Sequence, residues 1–182
     1  MSSLPFDAVL FDIGGTLVVE AEPGTATTDL SVRWIDGAPR TLAALAGVGL
    51  RLGAVTDTSV MTEADVRALL DVDGVSDLLG AVVTSVDVGA PKPDPAGVVE
   101  AMRRLAMTDP ARVLLVGDRD VDRGAAAAAG CAFAAVSPDR PLHRVVLDAL
   151  LAAGSSPVEA AAALVGPVDV AAAAAADARQ LT

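Results

Sequence analysis

Cysteine is almost absent. Cys131 is the sole one in the chain, so no internal disulfide can form, and a reducing, cytoplasmic setting is the expectation. Aromatic side chains make up only 2% of the residues. A core must therefore come from Val, Leu and Ala, packed through close helix approach. Basic residues are also scarce: 13 Lys and Arg against 24 Asp and Glu leave a net charge of −11. Such a surface repels a phosphate backbone and excludes nucleic acid as a general partner, although local basic residues can still hold a small anion. No uncharged apolar stretch reaches the roughly 20 residues of a membrane span. Asp7 and Asp12 interrupt the first apolar run, which therefore does not read as a signal peptide. The chain has no Ser-His-Asp set, no CxxC and no GxGxxG after a strand. Its single histidine, His143 beside Arg144, reads as surface, and Cys131 reads as buried and inert.

What is present is a regular alternation. Five short apolar runs read as buried strands: Ala8 to Phe11, Arg51 to Val55, Ala81 to Thr84, Val113 to Val116 and Ala132 to Val136. Helical patterns fall between them, over Pro39 to Ala46, Thr62 to Leu70, Pro95 to Leu105 and Arg123 to Ala129. Thr62 with Asp65 is a helix start, and Gly130 a helix stop. Strand alternating with helix predicts an α/β fold, a doubly wound, Rossmann-like parallel sheet of five strands covered on both faces. Ligands in such sheets sit beyond the carboxyl ends of the strands. Asp12, Thr56, Asp57 and Asp118 all fall at those ends.

Two of these ends carry the clearest chemistry. In Val9-Leu10-Phe11-Asp12-Ile13-Gly14-Gly15-Thr16-Leu17 a strand delivers a carboxylate into a glycine turn. Glycines let backbone amides approach an anion, and a carboxylate beside them and a cation can attack a phosphoryl group. In Val116-Gly117-Asp118-Arg119-Asp120-Val121-Asp122 two carboxylates four residues apart can face one side of a turn entering a helix. Paired hard oxygens suit Mg2+. Thr56 can hold a phosphate oxygen, with Asp57 beside it. Lys92, in Gly89-Ala90-Pro91-Lys92-Pro93-Asp94, has its backbone fixed by two flanking prolines.

In this order the four segments resemble the motifs of the haloacid dehalogenase superfamily, over about residues 6 to 137. The resemblance implies that Asp12 is a nucleophile forming an aspartyl-phosphate. It implies that Thr56 binds the transferring group, with Asp57 in the same loop. Lys92 would neutralise charge, and Asp118 would hold magnesium with Asp122 supporting it. The Gly14 carbonyl would be a further metal ligand. The implied substrate is a small phosphorylated metabolite.

Two departures stand out. Phosphatases of that family usually carry a second Asp two residues after the nucleophile, as the acid and base of turnover, and here that position is Gly14. Loss of a general acid/base costs roughly 10²–10⁴-fold in rate. Asp57 and Asp120, in neighbouring strand-end loops, are the nearest substitutes the sequence offers. The segment Val18 to Asp36, about 20 residues, is too short for a cap domain. The site should then be open unless a second copy or another domain covers it. Trp34 in that segment reads as core rather than lid. Two functions remain open: a slow magnesium-dependent phosphomonoesterase, and a binding or docking domain with little catalysis.

These observations divide the chain into a core, residues 1–137, and an Ala-rich helical tail, residues 138–182. Arg140 to Ala153 reads as one amphipathic helix. Ser155-Ser156-Pro157 opens a second that runs to about Val165. Asp169 is a start for a third. Val165-Gly166-Pro167-Val168-Asp169, the Ala run and Asp177 to Thr182 resemble the opening helix of nicotinate-nucleotide–dimethylbenzimidazole phosphoribosyltransferases. That resemblance implies fusion to such a transferase domain of cobalamin synthesis.

Overall fold

β1, Ala8–Phe11, lies at the middle of a five-stranded sheet. A computed structural model of the chain describes residues 4–22, 24–25, 30–71 and 74–165. The strands are joined by α1 (Ala38–Gly47), β2 (Arg51–Thr56), α2 (Glu63–Leu70), β3 (Ala81–Thr84), α3 (Ser85–Val88), α4 (Ala96–Arg104), β4 (Val113–Gly117), α5 (Asp120–Ala129) and β5 (Ala132–Ala135). The helices α6 (Leu142–Ala152) and α7 (Pro157–Val165) follow. Strand order is β3-β2-β1-β4-β5, and every pair is parallel. The chain leaves β1 towards β2 and later returns to its other side as β4. That reversal opens a crevice at the carboxyl end of β1.

Side chains on successive strand residues face opposite layers. Val9, Phe11, Leu52, Ala54, Leu114 and Val116 belong to the larger core cluster, and α1, α2, α6 and α7 complete it. Ala8, Leu10, Val55, Val83, Val113 and Leu115 belong to the smaller one, under α4 and α5. Both faces of β1 are fully buried, which is why it reads as an uninterrupted apolar run. Each fully buried Leu, Val or Phe contributes roughly 1.5–3 kcal/mol. Many such aliphatic side chains therefore replace the few large aromatic anchors this composition lacks.

All five strands lie within one residue of their expected limits. Helix starts agree where Ser or Thr is the N-cap. The Asp65 carboxylate accepts from the amide and hydroxyl of Thr62. Ser156 and Glu159 form the reciprocal box that opens α7. α5 begins three residues before the expected Arg123, because the Asp122 carboxylate reaches back to the Arg119 amide. α3 is an unexpected single turn, capped between Thr84 and Asp87. The tail helices α6 and α7 form no strand. Leu142, Val145, Val146, Leu150, Ala160 and Ala163 pack into the larger core. Residues 166–182, where the third tail helix and the transferase resemblance fall, lie outside the described residues. No helix among the described residues is long and apolar enough to cross a membrane.

Candidate active site

Asp12 is the first residue beyond β1. Its amide donates to the Val116 carbonyl at 2.9 Å, one rung past the strand, so its backbone is pinned to β4. The turn after it closes on the Ile13 carbonyl, which accepts from the amides of Thr16, Leu17 and Val18. Leu17, wholly buried, anchors the turn in the core. Gly15 has φ +75°, and a Cβ there would stand 2.5 Å from Asp118 Oδ2. A side chain at this position would meet both backbone strain and the Asp118 carboxylate. The turn thus brings main chain directly against the end of β4.

Lys92 reaches into this crevice from the loop after α3. Its ammonium donates to Asp12 Oδ1 at 2.5 Å, to Asp122 Oδ1 at 2.6 Å and to the Val55 carbonyl at 3.2 Å. Asp12, Lys92 and Asp122 are 5%, 7% and 0% exposed, so these pairs are screened little by water. The Lys92 amide donates to Asp57 Oδ1, which ties the loop to the end of β2. Gly117 permits the approach of Asp122: a Cβ at that residue would lie 2.6 Å from the Asp122 carboxyl carbon. Thr56 ends β2 and is 8% exposed. Register pairs Phe11 with Ala54, so Thr56 stands beside the turn that follows Asp12.

Burial pushes the Asp12 carboxyl up to about 6, with the nearby Asp122 charge adding to the rise and the Lys92 ammonium opposing it. Burial by itself would lower Lys92. The charge of Asp12 and the hydrogen bonds to Asp12 and Asp122 outweigh it and hold the ammonium above its ordinary value. Asp118 is raised by partial burial and by the charges of Asp122 and Glu20.

Asp12, Asp118 and Asp122 can each direct an oxygen to a common point, all within 4.8 Å of one another. Lys92 is the ammonium paired with two of the three. The cluster keeps an excess of negative charge that a divalent cation with oxygen ligands would offset. This donor set fits magnesium.

The region around Gly14 is different. A Cβ on Gly14 would touch nothing closer than Glu20 Cγ, at 3.8 Å. The position has room, and Glu20 fills its neighbourhood. Bridges from Val18 to Gly14 and to Trp34 fold the segment back over the turn. No spacing rule in the sequence singles out Glu20, which becomes visible only through that fold-back. Asp57 is engaged with the Lys92 loop. The Asp120 side chain is fully exposed and faces Arg123 at 3.8 Å.

No helix or strand is formed by the described residues between β1 and α1, so the crevice has no cap built from them. Trp34 packs against the larger core, and its indole N–H is buried without a partner. It borders a groove of 1430 Å³ that also takes in Gly15, Thr16, Arg40, Asp118 and His143. The single histidine therefore lies on the wall of this groove.

A sequence model described as haloacid dehalogenase-like hydrolase matches residues 24–136. No curated protein is significantly similar in sequence. Among solved structures, a hydrolase of the same superfamily from Ehrlichia chaffeensis superposes with a TM-score of 0.63 at 17% identity, over 76% of this chain and 91% of that one. A predicted phosphoglycolate phosphatase from Haemophilus somnus gives 0.59 at 19% identity, over 73% and 86%. A related hydrolase from Deinococcus radiodurans, solved with bound phosphate and sodium, gives 0.61 at 22%, over 90% and 96%. These likenesses establish a shared fold.

Proposed function

The chain belongs to the haloacid dehalogenase-like hydrolases, and from this premise we propose that it is a magnesium-dependent phosphomonoesterase for small phosphorylated metabolites, acting through Asp12. The observation that carries the proposal is the buried Lys92 ammonium joining Asp12 and Asp122 at 2.5 and 2.6 Å, with Asp118 close by. A structural domain has little use for a buried, mutually charged set of this kind, which is costly to desolvate. The phosphate bound by the Deinococcus relative supports the same substrate class.

In this reading an Asp12 oxygen attacks phosphorus, the bond to the leaving oxygen breaks, and an aspartyl-phosphate forms. Water then attacks phosphorus, frees the Asp12 carboxylate and releases inorganic phosphate. Lys92 and the Thr56 hydroxyl hold the non-bridging oxygens. Asp57 contributes its main-chain amide to the same anion, since its carboxylate already serves the Lys92 loop. Asp12, the Gly14 carbonyl and Asp118 would hold magnesium, with Asp122 behind them, and the ion would offset charge on the phosphoryl group. Turnover is slow, because Gly14 offers no side chain to protonate the leaving oxygen.

Gly14 also favours a second reading, a docking domain of little catalytic power. The test is phosphate release from a panel of small phosphomonoesters with magnesium. α-Ribazole phosphate belongs in the panel because of the transferase resemblance at residues 165–182. The expected result is magnesium-dependent release that Asp12→Asn lowers by more than about 10³-fold. Release that is absent throughout, or untouched by Asp12→Asn, leaves the docking reading.

A further inference from the structure

We infer that Glu20 is the group that moves the proton in this site; the inference rests on the phosphomonoesterase reading above. An alkoxide leaving group needs a proton as its bond to phosphorus breaks, and a group with correct placement supplies roughly 10²–10⁴-fold. The donor must stand beside Asp12, reach the open side of the crevice and be free of structural partners. Asp122 is fully buried, with one oxygen on Lys92 and the other on the Arg119 amide. Asp118 belongs to the cation cluster. Asp57 holds the Lys92 loop. Asp120 faces Arg123 from a fully exposed position.

Glu20 meets these conditions from beside the turn that follows Asp12. Its side chain passes the turn that follows Asp12, where Cγ would lie 3.8 Å from a Cβ on residue 14. Its carboxyl is one bond beyond Cγ, as the carboxyl of an Asp at residue 14 would be one bond beyond that Cβ. An Asp introduced at residue 14 would therefore start beside the Glu20 stem. Glu20 is exposed, so it can reach a bound ester. Its charge is also close enough to act on Asp118. In the first half-reaction the Glu20 carboxylic acid gives its proton to the leaving oxygen while Asp12 takes the phosphoryl group. In the second, the Glu20 carboxylate takes a proton from the water that attacks the aspartyl-phosphate. Inorganic phosphate and the Asp12 carboxylate are freed, and Glu20 is again protonated. An exposed, flexible side chain does this less well than one fixed at residue 14, in keeping with slow turnover.

The experiment compares Glu20→Gln with wild type on two esters, an alkyl phosphate and p-nitrophenyl phosphate. The quantity measured is kcat/KM, which reports the transfer half-reaction. Nitrophenolate leaves without a proton, whereas an alkoxide does not. The expected result is a fall of about 10-fold or more for the alkyl ester and less than about 3-fold for the nitrophenyl ester. The double variant Gly14→Asp/Glu20→Gln should regain alkyl-ester activity. An equal fall for both esters, or no fall for either, overturns the role of Glu20 while leaving the phosphatase in place. A double variant as slow as Glu20→Gln counts against it as well. If wild type releases no phosphate from either ester in an Asp12-dependent way, the phosphatase reading fails first and this inference falls with it.

Discussion

Two sets of groups meet at Asp12. Lys92 and Asp122 are buried and pinned to β2, to the start of α5 and to each other. Gly14, Glu20 and Asp118 sit at the open mouth, with a missing side chain, an exposed carboxylate and a partly solvated one. The first set holds charge in place and is backed by the core. The second, where the proposed reaction would move its proton through Glu20, is backed by a turn and a fold-back of isolated bridges. In the proposed reaction holding an anion and turning it over would be separate tasks, and the packing of the fold backs the first.

The largest effect should come from removing the shared cation. Lys92→Met leaves Asp12 and Asp122 facing each other in a buried space, and breaking a buried pair in this way costs roughly 3–5 kcal/mol. Urea unfolding of the metal-free protein measures it. A loss below about 1 kcal/mol would mean that the buried set is no more rigid than the open one.

Asp12 itself should show the reverse sign. Its carboxyl is raised from 3.8 to about 6, so the folded protein binds that proton more tightly than the unfolded chain. Stability from this group is present at low pH and is lost as pH rises from about 4 through 6. Asp12→Asn mimics the protonated form. Without metal, the variant should be more stable than wild type at pH 7.5, by at most about 3 kcal/mol. The gap should close as pH falls to 4. Magnesium should narrow it at neutral pH by binding wild type alone. Thermal melts across pH check this, and a wild type that is the more stable protein at pH 7.5 would break the account.

The smallest change is expected at the open mouth. Gly14→Asp meets only an ordinary contact and no positive φ. It should leave the unfolding midpoint nearly unchanged and raise alkyl-phosphate turnover about 10-fold, part of the range for a placed acid/base. No increase would mean that proton transfer does not limit the rate.

The sheet was legible because buried parallel strands are written as continuous apolar runs, and their limits need no tertiary information. Thr62 and Ser156 were legible for a similar reason, since their caps lie three residues away. The start of α5 was not, because its N-cap is Arg119, outside the Ser, Thr, Asp and Asn that mark helix starts. Strand-end position pointed to Asp12, Thr56 and Asp118. The joining of Asp12 to Asp122 through one ammonium has no local signature. Glu20 has none either, because its place depends on a chain reversal with no turn motif to announce it.

The Lys92 ammonium has three hydrogens, and three oxygens already occupy them. Its three donors are all in use before any ester arrives. In the proposed reaction a phosphoryl oxygen would therefore enter by substitution, displacing a carboxylate or the Val55 carbonyl. The displaced acceptor would need another partner at once, and Asp12, which in that reaction goes on to bond phosphorus, is the one that would not be stranded. Substrate entry and the release of the nucleophile would then be a single exchange of hydrogen-bond partners at Lys92.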